Sequence, residues 1–253
     1  MFAFLIIVFS VIPNFVWLYF YLKQDPHPEP PPFLLLAFFL GVFSTVVALG
    51  AGLGLLSLIQ SVSGAERALI QNSFWFMFIG VAFVEELAKF LMAFFLLRKS
   101  LVFDEPIDAI IYLSVIALGF AFVENIIYLV SIFNQFFGDL SQVVYFVSLR
   151  FIGANFLHTL ASGLVGYFWA IGIVRRKNPQ YLFMGLFLAT LIHGLFNLSV
   201  MVFGMPIYVF SVVFLFIVGL FLLRDAEILR QLKTPATLIN GLGGSGSGGK
   251  AES

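Results

Sequence analysis

Four stretches of this 253-residue chain place ionisable and amide side chains inside otherwise apolar runs. Glu85 and Glu86 stand side by side in FVEELAKF, with Lys89 four residues after Glu85 and so on nearly the same helical face. Glu124 and Asn125 interrupt GFAFVENIIY, Asn155 and His158 lie in ANFLHTLASG, and His193 and Asn197 form an i,i+4 pair in LIHGLFNLSV. A glutamate to take a proton from water, histidines to bind a metal or orient that water, and an amide to hold an oxyanion suffice for peptide hydrolysis. Two variants follow. In the first, His158, His193 and Glu124 bind zinc, as two imidazoles and one carboxylate commonly do, and Glu85 is the base. In the second, Glu85 and a histidine polarise water without a metal, and His193 with Asn197 stabilises the oxyanion. Glu86 is the alternative base, because neighbouring helical residues point about 100° apart and one alone faces a site squarely. There is no HExxH motif, and spacing leaves both variants open.

These residues need a scaffold, and the composition sets its kind. Hydrophobic residues make up 61% of the chain and charged ones 10%, with a mean hydropathy of +1.07, so the bilayer is its solvent. A formal net charge of zero gives a nucleic-acid partner no electrostatic support, and the absence of cysteine excludes disulfides and thiol chemistry. Crossing the hydrocarbon takes about 20 apolar residues. Seven segments qualify: Phe2–Leu22, Phe33–Leu58, Phe74–Leu97, Ile107–Phe133, Val143–Val174, Tyr181–Phe203 and Pro206–Leu223. The expected fold is an all-α polytopic membrane bundle of about seven transmembrane helices. Phe2–Leu22 lacks a basic start and a small-residue cleavage site, and reads as a retained helix. The fifth segment is too long for a perpendicular span and is expected to begin as an interfacial or tilted helix near Arg150.

The prolines of Asp25–Pro32 are expected to break the chain between the first two helices. The polar Ser61–Asn72 is expected at the interface, as an eighth helix. With the amino terminus outside, Lys23, Arg98, Lys99, Arg175, Arg176, Lys177, Arg224, Arg230 and Lys233 fall on the cytoplasmic side, and Arg67 and Arg150 outside. The positive-inside rule therefore favours N-out, C-in. Gly50, Gly52, Gly54, Gly163 and Gly166 are expected at close helix contacts. Residues 1–235 form one membrane domain, and 236–253, with its GGSGSGGK run, a flexible tail of linker composition.

In this topology Glu85, Glu124, His158 and His193 lie about eight to eleven residues from the outer ends of their helices, or roughly 12–17 Å at 1.5 Å per residue. Four helices thus bring their ionisable groups to one level, somewhat outside the midplane. Each such group costs about 2.5–3.5 kcal/mol near the bilayer centre, and the set marks a functional site. The rival reading, a proton-coupled transporter or channel, predicts ionisable groups staggered through the membrane instead. His27, in the proline-rich loop, is expected to have no role.

Glu85-Glu86-x-x-Lys89, Phe120-x-x-x-Glu124-Asn125, His158 and His193-x-x-x-Asn197 together resemble the PrsW family of bacterial intramembrane proteases, with the motifs in order from the third through the sixth helix. That family is similar in layout to the CAAX prenyl endopeptidase and bacteriocin-processing superfamily, whose pattern has a histidine where this chain has Glu124. His158 is then the substitute partner for the water-activating glutamate. The resemblance implies a metalloprotease of the bacterial cell membrane. It also implies first-site cleavage of a single-span membrane protein, an anti-sigma factor in the PrsW case.

Overall fold

The computed structural model describes residues 8, 11–12, 14–19, 22–23, 27–98, 100–136, 139–175, 179–203 and 205–230, and among these every regular element is a helix. Most of Phe2–Leu22 and all of the tail 236–253 lie outside the described residues. The elements are α1 (Pro31–Ser63), α2 (Arg67–Gln71), π1 (Phe76–Phe83) running into α3 (Val84–Leu97), α4 (Asp108–Gln135), α5 (Leu140–Leu149), π2 (Arg150–Ala154), α6 (Asn155–Val174), α7 (Pro179–Phe203) and α8 (Met205–Arg230). Among the described residues four stretches are long and apolar enough to cross a membrane: Pro31–Ser63, Asp108–Gln135, Ser141–Val174 and Pro179–Val200.

Helix α1 starts two residues earlier than the sequence suggests. Pro31 and Pro32 occupy its first turn, where a missing N–H costs nothing and the fixed φ of proline already suits a helix. At its other end Gly64, at φ 66°, takes the left-handed turn that a side chain would strain, and donates its N–H to Gln60 O at 2.9 Å. The polar Ser61–Asn72 stretch is therefore divided between the end of α1, this turn and α2.

Helix α4 is the centre of the bundle. Every residue from Asp108 to Ala121 is buried, as expected of a helix that is apolar on all sides. Helix α1 packs on one flank of α4 and α6 on another, and α7 packs on α6. On the outward side of α1, Phe43 and Val46 are exposed, as suits side chains in contact with lipid.

The α1–α4 crossing depends on two glycines that sequence reading passed over. A methyl built on Gly41 collides with the Ile116 carbonyl, and one on Gly119 collides with the Phe38 carbonyl. Gly166 packs as closely on α4, with a built Cβ 2.6 Å from Ala109 O, and Gly163 and Gly52 approach Leu222 and Gly80 O at 3.2 and 3.1 Å. Gly50 and Gly54 correct the expectation, because a methyl on either meets nothing within 4 Å. They lie on the exposed side of α1. Gly41→Ala is therefore expected to destabilise the bundle by about 1–3 kcal/mol through overpacking, with Gly54→Ala close to neutral. Thermal unfolding in detergent reads both, and equal midpoints would refute the close crossing.

The overlong fifth segment is a single helical run whose hydrogen-bond pattern widens between Arg150 and Ala154. Asp139 caps its start, accepting from the N–H groups of Ser141 and Gln142 at 3.0 and 3.2 Å. At the far end of α4 the proline-rich loop is tied down. Tyr112 donates to Glu29 at 2.6 Å, and His27, for which no role was expected, pairs with Glu105 at 2.7 Å.

Candidate active site

Helix α3 supplies the acidic pair, and its two glutamates have different surroundings. Glu86 is sealed in the bundle with every oxygen engaged. Oε1 accepts from Lys89 Nζ at 2.6 Å and lies 2.8 Å from His193 Nδ1, while Oε2 accepts from Ser162 Oγ at 3.0 Å. The sequence pairs Lys89 with Glu85 by its i,i+4 spacing. The structure pairs it with Glu86 instead, since i+3 shares the face equally well and the ammonium turns inward. There Lys89 lies 3.1 Å from His158 Nδ1 and 4.6 Å from the centroid of the Phe120 ring, a cation–π contact.

Glu85 is only partly buried. Its Oε2 makes no hydrogen bond among the described residues and lies 3.5 Å from His193 Nε2. It lines a cavity of about 480 Å³ walled by α1, π1, α4 and π2, with Glu124, Tyr128 and Arg150 on its polar side. His193, from α7, thus stands between the two glutamates, with one ring nitrogen towards each.

His158, from α6, meets His193 edge to face at 5.0 Å between ring centroids. Its Nε2 lies 2.8 Å from Glu124 Oε2, and the same oxygen accepts from Arg150 Nη2 at 3.2 Å. Arg150 Nε donates to Asn125 Oδ1 at 2.7 Å, and Asn125 Nδ2 donates to Asn155 Oδ1 at 2.9 Å. The structure therefore gathers Glu85, Glu86, Lys89, Glu124, His158 and His193 into one network. Asn197 is half-buried, one turn beyond His193, and no hydrogen bond joins it to that network among the described residues.

Three carboxylates here face two basic side chains, Lys89 and Arg150. The excess negative charge in a low-dielectric interior favours a further cation, whether a proton or a metal. The donor set fits a divalent metal. Ligand atoms of Glu85, His158 and His193 lie within 4.8 Å of one another, the two-imidazole, one-carboxylate set of many catalytic zinc sites. Glu85 Oε2 is buried without a hydrogen bond, and Glu86 backs His193 Nδ1 as outer carboxylates back metal-binding histidines. The sequence-derived set used Glu124 as the carboxylate. In the structure Glu124 adjoins this trio through His158 and bonds Arg150.

Two participants escaped the sequence reading. Ser162 sits four residues after His158, a spacing that puts both on one face. Arg150 is a lone cation within an overlong apolar stretch, a signal visible in the sequence and read there as a topology marker only.

The motifs, the acid-and-imidazole network and the cavity are those of a membrane-embedded hydrolase, and known proteins agree. The model of the PrsW family intramembrane metalloprotease matches residues 29–223, which include every residue of the network. Protease PrsW of Geobacillus kaustophilus is 30% identical over 180 residues, 71% of this chain and 72% of the relative. Protease PrsW of Bacillus subtilis is 27% identical over 234 residues, covering 90% and 97%, and that of Clostridioides difficile 27% over 194 residues, covering 76% and 78%. No solved structure matches the chain significantly. With its buried glutamates and histidines carried on a bundle of membrane-crossing helices, this chain belongs to the PrsW family of intramembrane metalloproteases.

Proposed function

We infer that this protease makes the first cut in a single-span membrane protein, such as an anti-sigma factor, near the outer face of a bacterial plasma membrane. The observation that carries the reading is Glu85, the one glutamate of its pair that lines the cavity, beside two imidazoles and with an oxygen that no described residue hydrogen-bonds. The N-out, C-in arrangement from the basic residues puts that level on the outer side of the midplane, and the relatives are all bacterial.

In a metal-free site Glu85 takes a proton from the attacking water, and His193, 3.5 Å away, is placed to relay it. Glu86 holds the His193 ring in place through Nδ1, and Lys89 neutralises Glu86 without reaching the cavity. Glu124 lines the same cavity with His158 bonded to it at 2.8 Å, and Asn197 is the amide nearest His193 in sequence for an oxyanion. In a zinc-loaded site Glu85, His158 and His193 would instead hold the ion, with Glu124 next to them. The chemistry such an ion supplies when bound is polarisation of the scissile carbonyl and acidification of water.

Metal content by mass spectrometry, together with cleavage of a single-span model substrate in the presence of a strong chelator, tests the metal. Near-stoichiometric zinc and loss of cleavage on chelation, restored by added zinc, are expected. Full activity in metal-free protein would make this a glutamate-dependent enzyme in which Glu85 acts alone as base.

A further inference from the structure

Among the described residues Arg150 is the one cation lining the 480 Å³ cavity, and the chemistry above gives it no part. It is held in a fixed orientation. Nε bonds Asn125, Nη2 bonds Glu124, and the guanidinium carbon stands 4.8 Å from the centroid of the Tyr128 ring. A guanidinium has five N–H donors in one plane, and these two bonds leave three for other partners. The side chain is 20% exposed, and that exposure opens on the cavity.

Neutralising Glu124 would need only a charge at the end of a flexible stem. Instead the chain orients a planar fork, and does so where its helix departs from α to π geometry, an irregularity that recurs at functional sites. What the cavity must hold supplies the reason. A peptide bond inside a helix is shielded, so a segment to be cut has to unwind. Its carbonyls then lose their helical partners and need donors from the cavity wall or from the little water it admits. The cavity wall is mostly apolar, and besides Arg150 its side-chain donors are the neutral groups of Gln71, Tyr128, Ser131 and Thr45, so the arginine is its strongest donor. The Thr45 hydroxyl already contacts Gly41 O and Phe120 O.

We propose that Arg150 is a substrate-binding residue whose remaining N–H groups hold main-chain carbonyl oxygens of the unwound segment in the cavity that Glu85 lines. The assignment rests on the intramembrane protease reading. It makes Asn125 and Tyr128 the supports of the fork, and Glu124 both its counter-ion and its link to His158.

The test uses a synthetic single-span peptide of about 25 residues, free of Asp and Glu so that no side-chain carboxylate competes for the arginine. Its binding is measured in detergent to the full chain carrying Glu85→Gln, alone and combined with Arg150→Gln or Arg150→Lys, each checked by thermal unfolding. Arg150→Gln is expected to weaken binding about tenfold or more, as loss of a charged donor does. Arg150→Lys keeps the charge beside Glu124 but lacks the fork, and is expected to weaken binding about threefold. It also carries the test if the glutamine variant does not fold. Equal affinity in the folded variants, or no saturable binding by the Glu85→Gln parent, overturns the assignment. Cleavage of the same peptide by the unsubstituted chain separates the two ideas. Cleavage with binding indifferent to Arg150 removes the arginine alone, whereas Arg150-dependent binding without cleavage removes the hydrolytic reading and keeps the arginine.

Discussion

Glu85→Gln is expected to lower cleavage of a single-span substrate about 1,000-fold while leaving the thermal unfolding midpoint near that of the unsubstituted protein. The loss follows from removing the carboxylate that acts as general base, an effect of roughly 10²–10⁴-fold, or as a metal ligand where zinc is bound. The retained stability follows from where Glu85 sits. Its Oε2 accepts no hydrogen bond among the described residues, and its side chain is 13% exposed at the cavity. An amide of the same shape therefore breaks nothing that holds the bundle together. It also keeps an oxygen near His193 Nε2, so the imidazole need not move. If Glu85→Gln retained more than about a tenth of the activity, the base would lie elsewhere, since that residue is well below what such a group supplies.

Glu86→Gln, one residue further on, is expected to fail differently. Lys89 and Glu86 both have side chains at 0% exposure, and their contact is 2.6 Å. Charges taken this far from water are tolerated only when paired, and removing one partner typically costs about 3–5 kcal/mol because the other remains buried and uncompensated. That is a large share of a stability of about 5–15 kcal/mol, so much of the Glu86→Gln protein should unfold or aggregate at growth temperature. The double substitution Glu86→Gln with Lys89→Met removes both charges and should recover a substantial part of the loss, because an apolar replacement of a buried pair is often close to neutral. Unfolding midpoints of the two single variants and the double variant in the same detergent decide the matter. A Glu86→Gln midpoint equal to that of Glu85→Gln would contradict the sealed ion pair. Activity of the double variant then measures how far His193 depends on Glu86 for its orientation, since that contact at Nδ1 is also lost.

Periodicity cannot separate these two glutamates. Both fall in the first turn of α3 and both have Lys89 within reach, at i+4 and i+3. Their roles are divided by α6 and α7. Ser162 and His193 approach from the side that Glu86 faces, while the cavity between α1 and α4 opens on Glu85. Arg150 is a similar case. Its position relative to the other basic residues makes it a topology marker, and the widened turn at π2 together with Asn125 and Glu124 on α4 gives it a second identity.

The sequence by itself determined the membrane environment, the all-helical architecture, six of the seven ionisable residues that meet and the family to which the chain belongs. These follow from local quantities: long apolar runs allow only helices at membrane depth, and charge placed within them is too costly to lack a purpose. Tertiary structure alone decided which glutamate is sealed and which is open, that Lys89 serves Glu86, that Glu85 rather than Glu124 completes the trio with the two histidines, and that Gly41 and Gly119 set the α1–α4 approach where Gly50 and Gly54 do not. Each of these depends on which face of a helix meets which neighbour. In lipid that choice is made by close packing and by pairing of buried polar groups, because lipid tails are as apolar as the side chains and the hydrophobic pattern of each helix no longer tells inside from outside.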